Sequence, residues 1–365
     1  MIITRTPFRV SFFGGGTDYP AWYRLHGGAV LATTIDKYCY ITCRYLPPFF
    51  DNRHRIVYSR VENCQTLDQI EHPAVREGLR QFGFRHGVEI HHEGDLPARS
   101  GMGSSSAFMV GLLHAFHALR GEIASKRQLA LEAIHLEQEV IRENVGSQDQ
   151  VSVAHGGLNH ILFQPSGDIS VHPVPISAAR LAELNAHLML FYTGVKRTAS
   201  DVAGSYVTDL EARKRQLRIM KDLLEESLTV LCASGSLRGF GELLHEAWLV
   251  KRTFSAVVSN PHVEAIYQRA QAAGALGGKL LGAGGGGFML LFAEPECQKR
   301  VREALPDLIH VPFEFDAAGS QIIFYQPERG YDREEALRAQ QPVPEFRELS
   351  EMTAGAPPLV KAETV

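Results

Sequence analysis

The sequence predicts two α+β domains in tandem, and three observations carry that expectation. At 365 residues the chain is long enough for two hydrophobic cores. Strand-like and helix-like stretches mix irregularly rather than alternating in βα units, which disfavours a doubly wound sheet. A connector bearing Pro173 and Pro175 separates two regions that each contain both kinds of element. The expected domains are residues 1–175 and 176–328, with the charged, Pro-rich stretch 329–365 as a flexible tail.

The elements follow in chain order. "RVSFFGG", "GAVLATTI" and "YCYITCRY" are rich in β-branched and aromatic residues and broken by glycine pairs, so residues 1–60 read as strands. Cys39 and Cys43 sit four apart in the third of these, on one strand face as small packing residues. "GVEIHH" (87–92) is a further strand, and helices are expected at 104–120 and 126–144, the second N-capped by Ser125. A Gly156-Gly157 turn leads to strands near 158–163 and 169–174. The second region reads as a strand at 187–193, helices at about 200–232 and 236–256, and a helix after Asn260-Pro261. Strands flanking a glycine run, then a last pair near 308–325, close it.

Composition narrows the function classes. A hydrophobic fraction of 45% with 21% charged residues is ordinary for a globular protein, and a net charge of −4 supplies no basic footprint for nucleic acid. Five cysteines, an odd number without a C-x-x-C pair, fit reduced thiols in a cytoplasm rather than disulfides or a zinc site. The N-terminal MIITRTPFRV carries no signal-type apolar region, and the uncharged run 100–119 is too polar to span a bilayer. A cytoplasmic protein without membrane or nucleic-acid partners is expected; a homodimer is compatible with all of this.

Two glycine-rich loops bear on chemistry. "DLPARSGMGSSSAFMVGLLHAF" (95–116) runs into a helix that is apolar on nearly all faces and therefore buried. The helix N-terminus offers free N–H groups and a positive dipole end to anything lying over Gly101–Ser106, so the segment can cradle a polyphosphate without a Walker lysine. A Ser-capped buried helix after a flexible turn fits the same residues equally well. "KLLGAGGGGFMLLF" (279–292) spells G-x-G-x-x-G at Gly282, Gly284 and Gly287, but a strand follows where a dinucleotide site needs a helix. The Rossmann reading is rejected in favour of a tight turn against another backbone or a ligand.

Acidic residues add a second layer. In the 126–144 helix the apolar stripe Ala130, Ala133, Ile134, Ile141 contains Glu137, a carboxylate aimed at the core. Such a group needs a cationic partner or a metal ion. Twelve residues on, "GSQDQ" places Asp149, either a base for phosphoryl transfer or a plain first-turn helix acid. In "PFRVSFFGGGTDYP", Arg9 and Asp18 either line a polar pocket or, for Thr17-Asp18, cap the helix through "YPAWYRL".

Together "PFRVSFFGGGTDYP" (7–20), "LPARSGMGSSSA" (96–107) and "GGKLLGAGGGGF" (277–288), in that order, resemble the three motifs of the GHMP kinase superfamily, over essentially residues 1–325. "SFFGGGTDYPAW", "TTIDKY", "ENVGSQDQ" and "FYTGVKRTAS" are most similar to its branch that uses ATP to phosphorylate the anomeric hydroxyl of D-glycero-D-manno-heptose 7-phosphate. The resemblance implies a two-domain fold with the active site in the cleft between domains. It implies that Gly101, Met102, Gly103, Ser104, Ser105 and Ser106 cradle ATP, and that Ser105 (or Ser104) with Glu137 holds Mg²⁺. Asp149 would take the proton from the C1 hydroxyl while Arg9 stabilises the emerging charge. Asp18 would bond sugar hydroxyls beside Gly15, Gly16 and Thr17, and Gly284, Gly285 and Gly286 would support the ATP loop.

One departure bears on substrate. Galactokinases carry Glu-His where this chain has Gly15-Gly16, and the space released suits a longer or phosphorylated sugar, with Lys196 and Arg197 as candidate phosphate cations or simply as solvated loop charges. A kinase for fucose or an eight-carbon sugar phosphate, and a catalytically silent sugar sensor, are the alternatives. Retention of Ser105, Glu137 and Asp149 argues against the sensor.

Overall fold

The computed structural model describes residues 1–50, 52–195, 203–205, 210–327 and 329–340. The first domain is built on a nine-stranded sheet organised around one long strand, β2 (Gly28–Tyr45). β1 (Ile2–Phe13) runs antiparallel along one edge of β2, from Ile2 opposite Cys43 to Phe13 opposite Leu31. The other edge of β2 is shared. Its first half pairs with β6 (Asn159–Phe163), itself bonded to β7 (Ile169–Pro173), and its second half with β5 (Val88–Gly94). β3 (His54–Val57) joins β5 in parallel and carries β4 (Val61–Cys64). Cys39, Ile41 and Cys43 alternate inward along β2, as the period-2 reading requires.

Helices cover the sheet. α1 (Pro20–His26) follows β1, and α2 (Pro73–Phe82) precedes β5. α3 (Ser104–Leu119) is buried over almost its whole surface because it lies between the sheet and its helical neighbours. α4 (Lys126–His135) is capped by the Ser125 hydroxyl, which accepts from Gln128 N–H, as expected. It then widens into a π turn, Leu136–Val140, and the backbone turns left-handed at Arg142 (φ 63°), so the helix expected to reach 144 ends early. α5 (Gln148–His155) follows.

The second domain is a four-stranded antiparallel sheet, in order β11 (Ile309–Val311), β8 (Leu188–Tyr192), β10 (Phe288–Ala293), β9 (Ala275–Leu280). It is flanked by α6 (Ala178–His187), α7 (Lys214–Cys232), α8 (Arg238–Lys251), α9 (Pro261–Ala272) and α10 (Pro295–Ala304). β10 is buried on both faces, which explains why "FMLLF" reads as a continuous apolar run. The Asn260 side chain caps α9, accepting from Val263 N–H at 3.0 Å.

Two expectations need correcting. Residues 315–325 do not stay in the second domain: β12 (Phe315–Asp316) pairs with β2 and β13 (Gln321–Tyr325) with β1, completing the first sheet. Residues 332–340 are not loose tail but a helix, α11 (Asp332–Gln340). Its Glu335 lies 3.2 Å from His86, and Arg338 donates to the carbonyls of Pro48 and Phe50.

The domains meet where β1 ends. Phe12 and Phe13 stack edge-on against Phe240 of α8 at 5.5 and 5.2 Å. Beside them the two glycine loops touch. Phe288 N–H donates to the Ser100 carbonyl at 3.1 Å, and a Cβ at Gly287 (φ 100°) would lie 2.1 Å from that same oxygen. Only glycine permits this approach. Gly287→Ala is therefore expected to lower stability by about 2 kcal/mol or more and to raise KM for ATP. Denaturant unfolding and steady-state kinetics check both, and an unchanged midpoint would contradict the interlock.

Candidate active site

β1, the loop before α3 and the first turn of α5 converge at one arginine. Arg9 is buried and forks onto Asp149, Nε to Oδ1 and Nη2 to Oδ2, both at 2.7 Å. Its Nη1 donates to the Gly101 carbonyl at 2.6 Å, and its backbone N–H to the Met102 carbonyl at 3.0 Å. Bidentate charge-assisted geometry fixes direction as well as distance. Asp149 keeps a quarter of its side-chain surface open, so its remaining lone pairs face solvent.

Glycine, not serine, caps α3. Gly103 takes the left-handed conformation (φ 73°), and no side-chain cap forms. The first intrahelical bond is Ala107 N–H to the Gly103 carbonyl. Ser104, Ser105 and Ser106 thus occupy the first turn with their hydroxyls spared from capping, which removes the Ser-cap alternative. Ser105 is exposed and Ser104 half-buried, while Met102 and Ser106 are buried.

Glu137 lies on the π turn, fully buried against these serines. Ser106 donates at 3.0 Å to Oε2, Ser105 at 3.4 Å to Oε1, and the Gln150 amide also donates to Oε2. Every one of these donors is neutral, so burial dominates and pushes the carboxyl up to about 8. The cationic partner that would make it a plain ion pair is missing from these contacts. The Gln150 Oε1 is buried without a hydrogen-bond partner among the described residues. Among them no cluster of three or more His, Cys, Asp or Glu forms an all-protein metal cage. One carboxylate with serine hydroxyls and an orphan amide oxygen nevertheless suits a magnesium ion that takes its other ligands from phosphate and water.

Asp18 does not cap α1, whose N-cap is Tyr19 without a side-chain bond. It is buried and accepts from Gly16 N–H (2.9 Å) and Gln148 N–H (3.3 Å), and Ser147 N–H bonds its carbonyl. Burial first, and Asp149 second, raise its carboxyl above the ordinary value. Thr17 is committed elsewhere: its hydroxyl bonds Gly14 and Ala29 backbone, so it offers nothing to a substrate. A Cβ at Gly15 would rest against Gln148 and Ser11, whose Oε1 and Oγ are buried without partners among the described residues. Sequence reasoning missed Ser11, Gln148 and Gln150; the two glutamines flank Asp149 in "GSQDQ" and were legible only as its neighbours. Gly284 and Gly286 lie against Val258 and Val195, and Gly285 N–H donates to the Val258 carbonyl, whereas Gly282 and Gly287 touch the phosphate loop. Lys196 and Arg197 fall outside the described residues.

Lys279 of β9 is a further unpredicted neighbour, with Nζ donating to the Phe12 carbonyl at 2.7 Å. Burial, then Arg9, pulls its ammonium down to about 7 against a weaker opposing pull from Asp18.

A helix N-terminus whose serines are not spent on capping, a buried carboxylate bonded to two of them and an Arg-oriented carboxylate at the same loop suit transfer of phosphate from ATP to an alcohol. Comparison with known proteins gives the family. Residues 70–157 match the N-terminal domain of the GHMP kinases and residues 220–310 their C-terminal domain. The chain is 29% identical over 315 residues to the D-glycero-alpha-D-manno-heptose 7-phosphate kinase of Campylobacter jejuni, covering 83% of this chain and 93% of that one. It is 25% identical to the L-fucokinase/L-fucose-1-P guanylyltransferase of Bacteroides fragilis, covering 83% of this chain but 36% of that longer protein. Its fold matches a D-glycero-D-manno-heptose 1-phosphate kinase crystal structure from Bacteroides thetaiotaomicron with a TM-score of 0.72 at 22% identity, over 89% of this chain and 100% of that one. The chain therefore carries both GHMP kinase domains, the N-terminal at 70–157 and the C-terminal at 220–310. Among the described residues no helix is long and apolar enough to cross a membrane.

A pH dependence follows from Lys279. Its folded-state pKa, about 7, lies below the unfolded value near 10.5. Between those values the unfolded chain binds the extra proton, so this group makes stability rise with pH. Wild type is expected to gain on Lys279→Met from pH 7 to pH 9, by at most about 1.4 kcal/mol per unit. Parallel curves in denaturant titrations at the two pH values would contradict this.

Proposed function

We propose that this chain is a magnesium-dependent sugar 1-kinase that transfers the γ-phosphoryl group of ATP to the anomeric hydroxyl of a sugar phosphate, D-glycero-D-manno-heptose 7-phosphate fitting best. The observation that carries the reading is that two carboxylates meet the Gly101–Ser106 loop, Asp149 through Arg9 at Gly101 and Glu137 through Ser105 and Ser106. The heptose phosphate is favoured by the likeness to the Campylobacter jejuni kinase and by Gly15, where a longer side chain would press on Gln148 and Ser11.

In this reading the serine N–H groups and the α3 dipole receive the phosphates, and Arg9 carries positive charge to the same place. Mg²⁺ held by Glu137 and Ser105, with Ser106 adjoining, would neutralise charge on the transferring group. Asp18, Ser11 and Gln148 bond sugar hydroxyls, setting the C1 oxygen against Asp149. That oxygen forms the new bond to the γ-phosphorus as the bond to the departing ADP breaks, and its proton passes to Asp149. The Arg9 fork aims the Asp149 oxygens, so much of the catalysis is positioning. Lys196 and Arg197 are assigned to the far phosphate on their sequence position alone.

The test is turnover with a panel of heptose 7-phosphate, fucose, galactose and an octose phosphate, on wild type and variants. Heptose 7-phosphate is expected to give the highest kcat/KM, and 1-phosphate formation by phosphorus NMR identifies the site; preference for fucose would replace the substrate assignment. Asp149→Asn and Glu137→Gln are each expected to lower kcat by roughly 100-fold or more. Arg197→Ala is expected to raise KM for the 7-phosphate sugar, and an unchanged KM would remove that residue from the site.

A further inference from the structure

Lys279 is a buried lysine of the second domain whose one side-chain hydrogen bond among the described residues lies in the first. It is 3% exposed, on a strand otherwise engaged in its own sheet. The carbonyl it reaches is unusual too. Phe12 falls in a register shift of the β1–β2 ladder, between Ser11 opposite Ala32 and Phe13 opposite Leu31, and is matched to no residue of β2. Bulges of this kind re-aim the chain beside functional sites. Here the bulge lies on β1 between Arg9 and the Gly14–Asp18 turn, so whatever grips it sets the relation between the Asp149 fork and Asp18. Arg9 from β1 and Asp18 from the turn are the charges that act on the ammonium. Burying a lysine only to tie two domains together is expensive, since an apolar contact would serve as well. Phe12, Phe13 and Phe240 already supply that apolar contact alongside.

We infer that Lys279 is a positioning residue for the phosphoryl acceptor: reaching across the domain boundary onto the bulged Phe12 carbonyl, it fixes the Gly14–Asp18 turn and so the seat of the sugar against Asp149. The inference rests on the reading above that Asp18 meets the acceptor. ATP, held by the α3 N-terminus, lies on the other arm of the Arg9 contacts and is not served by this bond.

Lys279→Met and Lys279→Gln separate this role from a merely structural one. Kinetics are measured with whichever sugar or sugar phosphate the wild type turns over best. Lys279→Met is expected to raise the acceptor KM by about tenfold, with KM for ATP changing less than about twofold, the loss of one charge-assisted bond. Lys279→Gln, which keeps an N–H donor, is expected to show the same split with a smaller rise, and it carries the test if the Met variant does not fold. In hydrogen exchange of the free protein, amides 14–18 are expected to exchange faster in the variants while amides 101–106 do not. Equal changes in both KM values, or no change in either with unaltered exchange at 14–18, would overturn the inference. Failure of the wild type on heptose 7-phosphate would overturn only the substrate assignment, because the KM split uses the acceptor that works and the exchange measurement needs none.

Discussion

The Arg9 guanidinium is the constraint on which the rest of the site depends. One planar group holds both oxygens of Asp149 and the carbonyl of Gly101, while its own backbone N–H holds Met102. Three segments distant in sequence are thereby fixed to within hydrogen-bond tolerance. A lysine would neutralise Asp149 but could not supply three donors in one plane, so it would leave the carboxylate free to rotate and the phosphate loop untethered. The α3 N-terminus can then be made of glycine and of serines not spent on capping, because its position is fixed from outside.

Glu137 shows the complementary strategy. Its donors are all neutral, and burial raises the carboxyl to about 8, so near neutral pH the group is held largely uncharged until a cation is supplied. The π turn that holds it is the local irregularity that lets a helix otherwise docked by Ala130 and Ala133 turn a polar group toward the loop.

Much of this was legible in the sequence. Glu137 betrayed itself by standing in an apolar stripe, and "FMLLF" after the second glycine run excluded a dinucleotide site before any coordinates. What the sequence hid was long-range. Nothing in "IIFY" tells β13 to return to the first sheet rather than the second, because strand partners are chosen by tertiary context. The commitment of Thr17 to backbone, and the reach of Lys279 to Phe12, depend on a bulge and a domain contact that leave no local pattern. The π turn was equally invisible, since the apolar spacing through Ile141 continues as if the helix did.

The return of β12 and β13 makes the second domain, in topological terms, an insertion into the first. The outer edge of β1 and a short stretch of β2 have no partner until residues 315–325 leave the ribosome. The first domain therefore cannot finish folding before the second is almost wholly synthesised, contrary to the usual domain-by-domain order. The nascent chain carries an open strand edge throughout that interval, and a break anywhere between the domains would cost the first sheet its closing strand.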